Sequence, residues 1–160
     1  GGFKSQDGQR FRYVAEYIAE NHYAAALISY RGRPEYTYET TIEDVKSAVC
    51  FIRSVSNKYA INPDKIGATG RSAGGTLAAL LAVTGNLSYV DKNDPPILFM
   101  HCKDDQVVPW IQSQDMFDKM NDVGINSEVL YFEKGGHGFL IGENEDYLRP
   151  MISFFKKQFE

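Results

Sequence analysis

The chain has 160 residues, of which 43% are apolar, 24% charged and 13% aromatic, a composition that fits one folded domain and excludes a disordered or collagen-like chain. Its 17 basic residues against 21 acidic ones give a net charge of −4, and no basic run supplies the electrostatic footprint that nucleic acid or an anionic membrane surface requires. No apolar stretch reaches the roughly 20 residues needed to span a bilayer, the longest lying around Leu77 to Val83. Cys50 and Cys102 are too few for a disulfide framework and lack metal or redox spacing, so both are expected as partly buried free thiols.

Taken in chain order, helix-like and strand-like periods alternate. Phe11, Val14, Ala15 and Ile18 recur at helical spacing, and the continuous apolar run Ala24 to Ser29 predicts a strand buried on both faces. Thr40-Thr41-Ile42-Glu43 has the form of a capping box, opening a helix whose stripe is Ile42, Val45, Val49, Ile52 and Val55 and which closes before Asn62-Pro63-Asp64. Lys65 to Thr69 predicts a strand, Gly70 to Gly75 a turn, and Thr76 to Val83 an apolar helix. A strand over Pro96 to His101, a helix over Ile111 to Asp122 and a strand over Ser127 to Phe132 follow. A last helix carries Leu148, Met151, Ile152, Phe155 and Phe159, with Pro150 expected in its first turn. Strands alternating with helices of this length predict parallel pairing in an α/β layered fold, whose reactive groups collect at the carboxyl ends of the strands.

Unusual residues follow three of those strands. Gly70-Arg71-Ser72-Ala73-Gly74 fits G-x-S-x-G between a strand and a helix, where a serine on a sharp turn is lifted above the sheet and the Ala73 amide opens the helix toward a developing oxyanion. A Gly/Ser-rich turn without catalysis has the same composition, so the placement carries the reading. After Pro96 to His101 come Asp104 and Asp105, either of which could orient an imidazole or merely form a turn. After Ser127 to Phe132 comes Gly135-Gly136-His137-Gly138-Phe139, whose glycines free the backbone to present His137 into a cleft. His22 and His101 are expected in surface or structural roles. The order Ser, Asp, His differs from both familiar serine-protease orders.

On these residues the chain resembles an α/β-hydrolase of the esterase/lipase group, near the carboxylesterases that include acetyl-xylan and feruloyl esterases. Gly1-Gly2-Phe3 resembles the end of that group's oxyanion loop, Ser29-Tyr30-Arg31 its strand ending in Tyr-Arg, and Thr41 to Val49 its Glu-Asp-Val helix. The most specific stretch is Asn62 to Gly67 followed by Gly70 to Gly75. His101 to Pro109 is similar to the group's H-G-x-x-D-x-x-V-P segment, with Cys102 in place of glycine, and this resemblance assigns the acid to Asp105.

The resemblance implies a three-layer α/β/α fold with a mainly parallel sheet in a single domain over residues 1–160. It implies a serine esterase with Ser72, His137 and Asp105 as triad and the amides of Gly1, Gly2 and Ala73 as oxyanion donors. Tyr30, Arg71, Trp110 and Phe139 are candidates for the substrate pocket, though packing roles suit them equally. No metal or organic cofactor is implied. The expected partner is a small-molecule or carbohydrate ester, with homo-oligomerisation left open. The group's first oxyanion-loop residues, its preceding strands and a strand and lid between Val83 and Pro96 have no counterpart here. The sequence is therefore expected to be a partial or spliced record of a longer chain, whose four strands would leave gaps in the ladder. A prolyl-oligopeptidase-like peptidase and an inactive hydrolase-like binding domain are the alternatives.

Overall fold

The computed structural model of the chain describes residues 1–5, 7–83, 90–138 and 145–160. They form five α-helices, α1 (Arg12–Glu20), α2 (Tyr38–Ser54), α3 (Ala73–Ala82), α4 (Ile111–Asp122) and α5 (Glu145–Phe159), and two strands, β1 (Leu98–Cys102) and β2 (Glu128–Phe132). The chain divides into two compact units, one comprising Gly1–Leu77 and Leu148–Glu160, the other Ala78–Tyr147.

In the first unit a 3₁₀ turn over Gly8–Phe11 leads into α1. The N-cap of α2 is Thr37, whose hydroxyl accepts from the Thr40 amide. The expected capping box at Thr40 is therefore displaced by one turn, because Tyr38 and Glu39 already continue the helix. Thr41 and Val45 are buried on its inner stripe. Asp44 on the same helix receives the Arg31 backbone amide at 2.8 Å and the Arg31 guanidinium at 2.7 Å, which ties the Tyr-Arg segment to α2 by a charge-assisted fork. These bonds hold the Asp44 carboxyl below the ordinary carboxylate range.

α3 begins at Ala73, three residues before the expected Thr76, so the serine turn runs straight into helix. Leu148, Met151, Ile152 and Phe154 of α5 join Val45, Ala73 and Leu77 in this unit's buried set. Phe155 lies so close to Gly67 that a Cβ there would sit 2.5 Å from the ring. Pro150 lies inside α5 and not in its first turn, since the helix already starts at Glu145; its missing N–H removes one i→i−4 bond.

The runs Ala24–Ser29 and Lys65–Thr69 are not strands. A strand needs a neighbour to meet its N–H and C=O groups, and the ladder among the described residues joins β1 to β2 alone. Ala24, Ala25, Ala26 and Leu27, expected to be buried on both faces, are exposed accordingly.

The second unit is a β-α-β unit. β1 and β2 pair in parallel with Leu98 opposite Glu128 and Cys102 opposite Phe132. α4 makes the crossover and buries Met120 completely. A Schellman closure ends α4, with the Gly124 amide on Asn121 O and the Ile125 amide on Met120 O; Gly124 takes φ +88°, which a residue without a Cβ adopts freely. Ser127 then donates its hydroxyl to Met120 Sδ and accepts from the Ile97 amide at 3.1 Å, fixing the start of the ladder. Of the two free thiols, Cys50 is exposed and Cys102 buried, whereas both were expected to be partly buried. No described helix is long and apolar enough to cross a membrane.

Candidate active site

Within the first unit, Ser72 has φ +53°, a left-handed conformation that costs a non-glycine residue roughly 1–2 kcal/mol. The turn around it is closed by the Gly74 amide on Arg71 O at 2.9 Å, and its carbonyl accepts the Thr76 amide at 3.1 Å to start α3. Gly70 is sterically required, since a Cβ there would lie 2.2 Å from Gly74 O. Gly74 itself meets nothing within 4 Å of an added Cβ, so the two motif glycines are unequal. Gly70→Ala is expected to cost about 1–3 kcal/mol of stability as overpacking against rigid backbone. Gly74→Ala should be neutral or gain up to about 1 kcal/mol of helix propensity. Chemical-denaturation midpoints check the contrast, and equal losses in both variants would contradict this geometry.

Of the expected oxyanion donors, Ala73 is buried and opens α3, so its amide has no acceptor within the helix. Gly2 and Phe3 take φ +65° and +54° between Gly1 and Lys4, and the Lys4 amide reaches Gly1 O at 3.4 Å. Because a trans peptide points its C=O and N–H in opposite directions, that bond turns the Gly2 amide to the outside of the turn. Arg33 secures the loop, its guanidinium on Gly2 O at 3.1 Å and its amide on Phe3 O at 2.8 Å.

In the second unit, parallel pairing brings the segments after β1 and β2 side by side. The Lys103 amide donates to Phe132 O at 2.8 Å, Cys102 Sγ reaches Lys134 O at 3.5 Å, and Lys103 pairs with Glu133. Burial, then the Asp104 and Asp105 carboxylates, push the Cys102 thiol up. The two consecutive acids then part. Asp104 receives the Gly136 amide at 2.7 Å and the Gly135 amide at 3.3 Å, clamping the histidine loop. Asp105 receives the Val107 and Val108 amides on Oδ1 at 2.8 and 2.9 Å, and its Oδ2 lies 2.8 Å from His137 Nδ1.

The Asp105 side chain is 3% exposed and that of His137 27%. Burial raises the Asp105 pKa, but the Val108 amide, His137 and the Val107 amide outweigh it and hold the carboxyl down at about 2. Asp105 is thus a fixed anion able to orient an imidazole through Nδ1–H, which leaves Nε2 as its basic nitrogen.

Asp105 and His137 are brought together within the second unit. Ser72, Ala73, Gly1 and Gly2 belong to the first. Among the pocket candidates, Tyr30 and Arg71 are half-buried in the first unit, Trp110 packs edge-to-face on Tyr131 at 5.1 Å, and Phe139 lies outside the described residues. The clamp at Asp104 was not expected; its signal was the adjacency of two acids before a glycine-rich loop. Among the described residues no group of three or more His, Cys, Asp or Glu could hold a metal ion.

The BD-FAE family profile matches residues 1–88, and that of the prolyl oligopeptidase family matches residues 82–160. The chain is 39% identical over 73 residues to the "Probable carboxylic ester hydrolase LipM" of Mycobacterium tuberculosis, covering 46% of this chain and 17% of that protein. Esterase 2 of Thermogutta terrifontis, phosphonylated by cyclosarin, superposes with a TM-score of 0.91 at 21% identity, over 99% of this chain and 80% of that one. The acetyl ester-xyloside bifunctional hydrolase of Caldicellulosiruptor lactoaceticus superposes with a TM-score of 0.84 at 20% identity, over 99% and 80% of the two chains. The fold is thus that of the α/β-hydrolase esterases, and the chain spans 17% and 21% of the length of the first curated relatives it matches.

Proposed function

The chain belongs to the BD-FAE family, in the esterase/lipase group of the α/β-hydrolases, and on that premise we propose that it hydrolyses carboxylic esters through an acyl-enzyme on Ser72. The observation that carries this reading is the Asp105–His137 pair, a buried carboxylate 2.8 Å from Nδ1 of a half-buried imidazole. The strained, left-handed conformation of Ser72 in the turn that opens α3 supports it independently.

In this reading Ser72 Oγ attacks the ester carbonyl while His137 Nε2 takes its proton. The electron pair of the carbonyl moves onto oxygen, where the Ala73 amide and the backbone nitrogens of Gly1 and Gly2 stabilise it. Collapse expels the alkoxide, which takes the proton back from His137 Nε2 and leaves as the alcohol. Water repeats the sequence on the acyl-enzyme, releasing the acid and restoring Ser72. Asp105 stays ionised throughout, holding the tautomer and stabilising the imidazolium. The substrate class is a short-chain or carbohydrate-linked ester, acetyl or feruloyl; the acetyl ester-xyloside hydrolase among the structural neighbours supports the carbohydrate side of that choice. The prolyl oligopeptidase match over residues 82–160 favours, as a second reading, a serine peptidase with the same three residues.

A fluorophosphonate probe followed by peptide mapping tests the proposal. A single adduct on Ser72, together with hydrolysis of p-nitrophenyl acetate and no cleavage of a proline-containing peptide amide, is the expected result. Failure of the probe to modify Ser72 would overturn the acyl-enzyme reading, and amide cleavage faster than ester cleavage would favour the peptidase.

A further inference from the structure

His101 is the penultimate residue of β1, with its side chain only 11% exposed. Its Nδ1 lies 2.8 Å from Ser113 Oγ on α4, its Nε2 3.0 Å from Val108 O, and the same Nε2 3.2 Å from Asp105 Oδ2. The carbonyl and the carboxylate accept only, so the proton at this end of the ring sits on Nε2. In the neutral ring Ser113 then donates its hydroxyl to Nδ1. The Nε2–H is donated to the Val108 carbonyl, while Asp105 Oδ2, the oxygen that faces His137, lies 3.2 Å from the same nitrogen. Oδ1 is taken by the Val107 and Val108 amides, and the Val108 carbonyl is gripped by His101 as well. The carboxylate is held at both oxygens, and one strand end and one helix hold the group that holds it.

We propose that His101, locked by Ser113 in the tautomer protonated at Nε2, is a positioning residue that holds the Val108 carbonyl and so fixes the turn whose amides aim the Asp105 carboxylate at His137. The proposal rests on the acyl-enzyme reading for its effect on rate, but its geometry is readable without turnover. His101→Asn places its amide at the Nδ1 position, within reach of Ser113 but short of the Val108 carbonyl. His101→Gln places its amide near the Nε2 position and restores a donor.

On p-nitrophenyl acetate, His101→Asn is expected to lower kcat by about 10- to 100-fold with KM little changed, short of the roughly 10⁴-fold that loss of the acid itself costs. His101→Gln should recover most of that loss. A merely structural histidine would lower stability in both variants without separating kcat from KM.

Histidine-selective ¹⁵N NMR of the 160-residue chain reads the geometry directly. The expected spectrum has His101 protonated on Nε2 and bare at Nδ1, and a His137 Nδ1–H proton that moves in His101→Asn and returns in His101→Gln. A proton on Nδ1 of His101, or an unmoved His137 proton in His101→Asn, would overturn the proposal. If circular dichroism shows His101→Asn unfolded, Ser113→Ala carries the same test. There the single tautomer of His101 is expected to be lost and the His137 proton to shift, and an unchanged spectrum counts against the proposal. An unaltered chain that shows this signature but neither turnover nor labelling at Ser72 would sink the esterase reading alone.

Discussion

Ser72→Ala is expected to lower kcat for ester hydrolysis by about 10⁶-fold, leaving only the residual rate that oxyanion donors and binding sustain without a nucleophile. The effect is large because the attacking oxygen is itself removed, so no rearrangement of His137 or Asp105 compensates. Loss of folding is not the cause to expect. Alanine at φ +53° carries the same left-handed strain as serine, and stability should be nearly unchanged. Ser72→Gly sharpens the point, since glycine adopts that conformation freely and should raise stability by roughly 1 kcal/mol while losing hydrolysis as completely as alanine. Steady-state kinetics beside denaturation midpoints check both statements. A Ser72→Ala variant with full turnover would remove Ser72 from the mechanism, and a Ser72→Gly variant less stable than the parent would show that the elbow stores no strain.

What the sequence made legible follows from how local each signal is. α4 runs over the expected Ile111 to Asp122, because its pattern, its Gly124 stop and its burial all lie within one β-α-β unit. β1 and β2 were legible for the same reason, their pairing being set by that crossover. Ala24–Ser29 and Lys65–Thr69 looked equally strand-like, yet an apolar run records only what a segment could bury, and a ladder depends on a distant partner that composition does not reveal. The elbow was readable in its residues but not in its asymmetry; that Gly70 and not Gly74 bears the steric load depends on which backbone the turn folds against. The expected cap at Thr40 failed because Thr37, three residues earlier, offers the same hydroxyl to the first turn. At the candidate site, Asp104 and Asp105 are chemically identical in the chain. Only the turn after β1, where the Val107 and Val108 amides capture one carboxylate, separates the acid that faces His137 from the acid that clamps its loop.

That separation predicts unequal effects for two isosteric substitutions. Asp105→Asn is expected to lower kcat by about 10⁴-fold. Its amide oxygen stays on the Val107 and Val108 amides, which turns the NH₂ group toward His137 Nδ1 and forces that nitrogen to accept. The imidazole proton then sits on Nε2, where the base should be. Asp104→Asn keeps one loop amide bonded and leaves the tautomer alone, so its loss should stay within about tenfold, a fraction of the cost of losing one hydrogen bond near the site. Equal losses in the two variants would contradict the division of labour.

Acid stability gives a second measurement of the same residue. Asp105 is held below its ordinary 3.8, at about 2, so it binds protons less readily folded than unfolded. Its contribution, on the order of 2 kcal/mol, is complete above the unfolded pKa and is lost as pH falls from about 4 through 2. Asp105→Asn lacks that contribution at every pH. Its stability should therefore fall less than the parent's across that interval, and parallel curves from pH 5 to pH 2 would mean that the Asp105–His137 pair does not hold the carboxylate ionised.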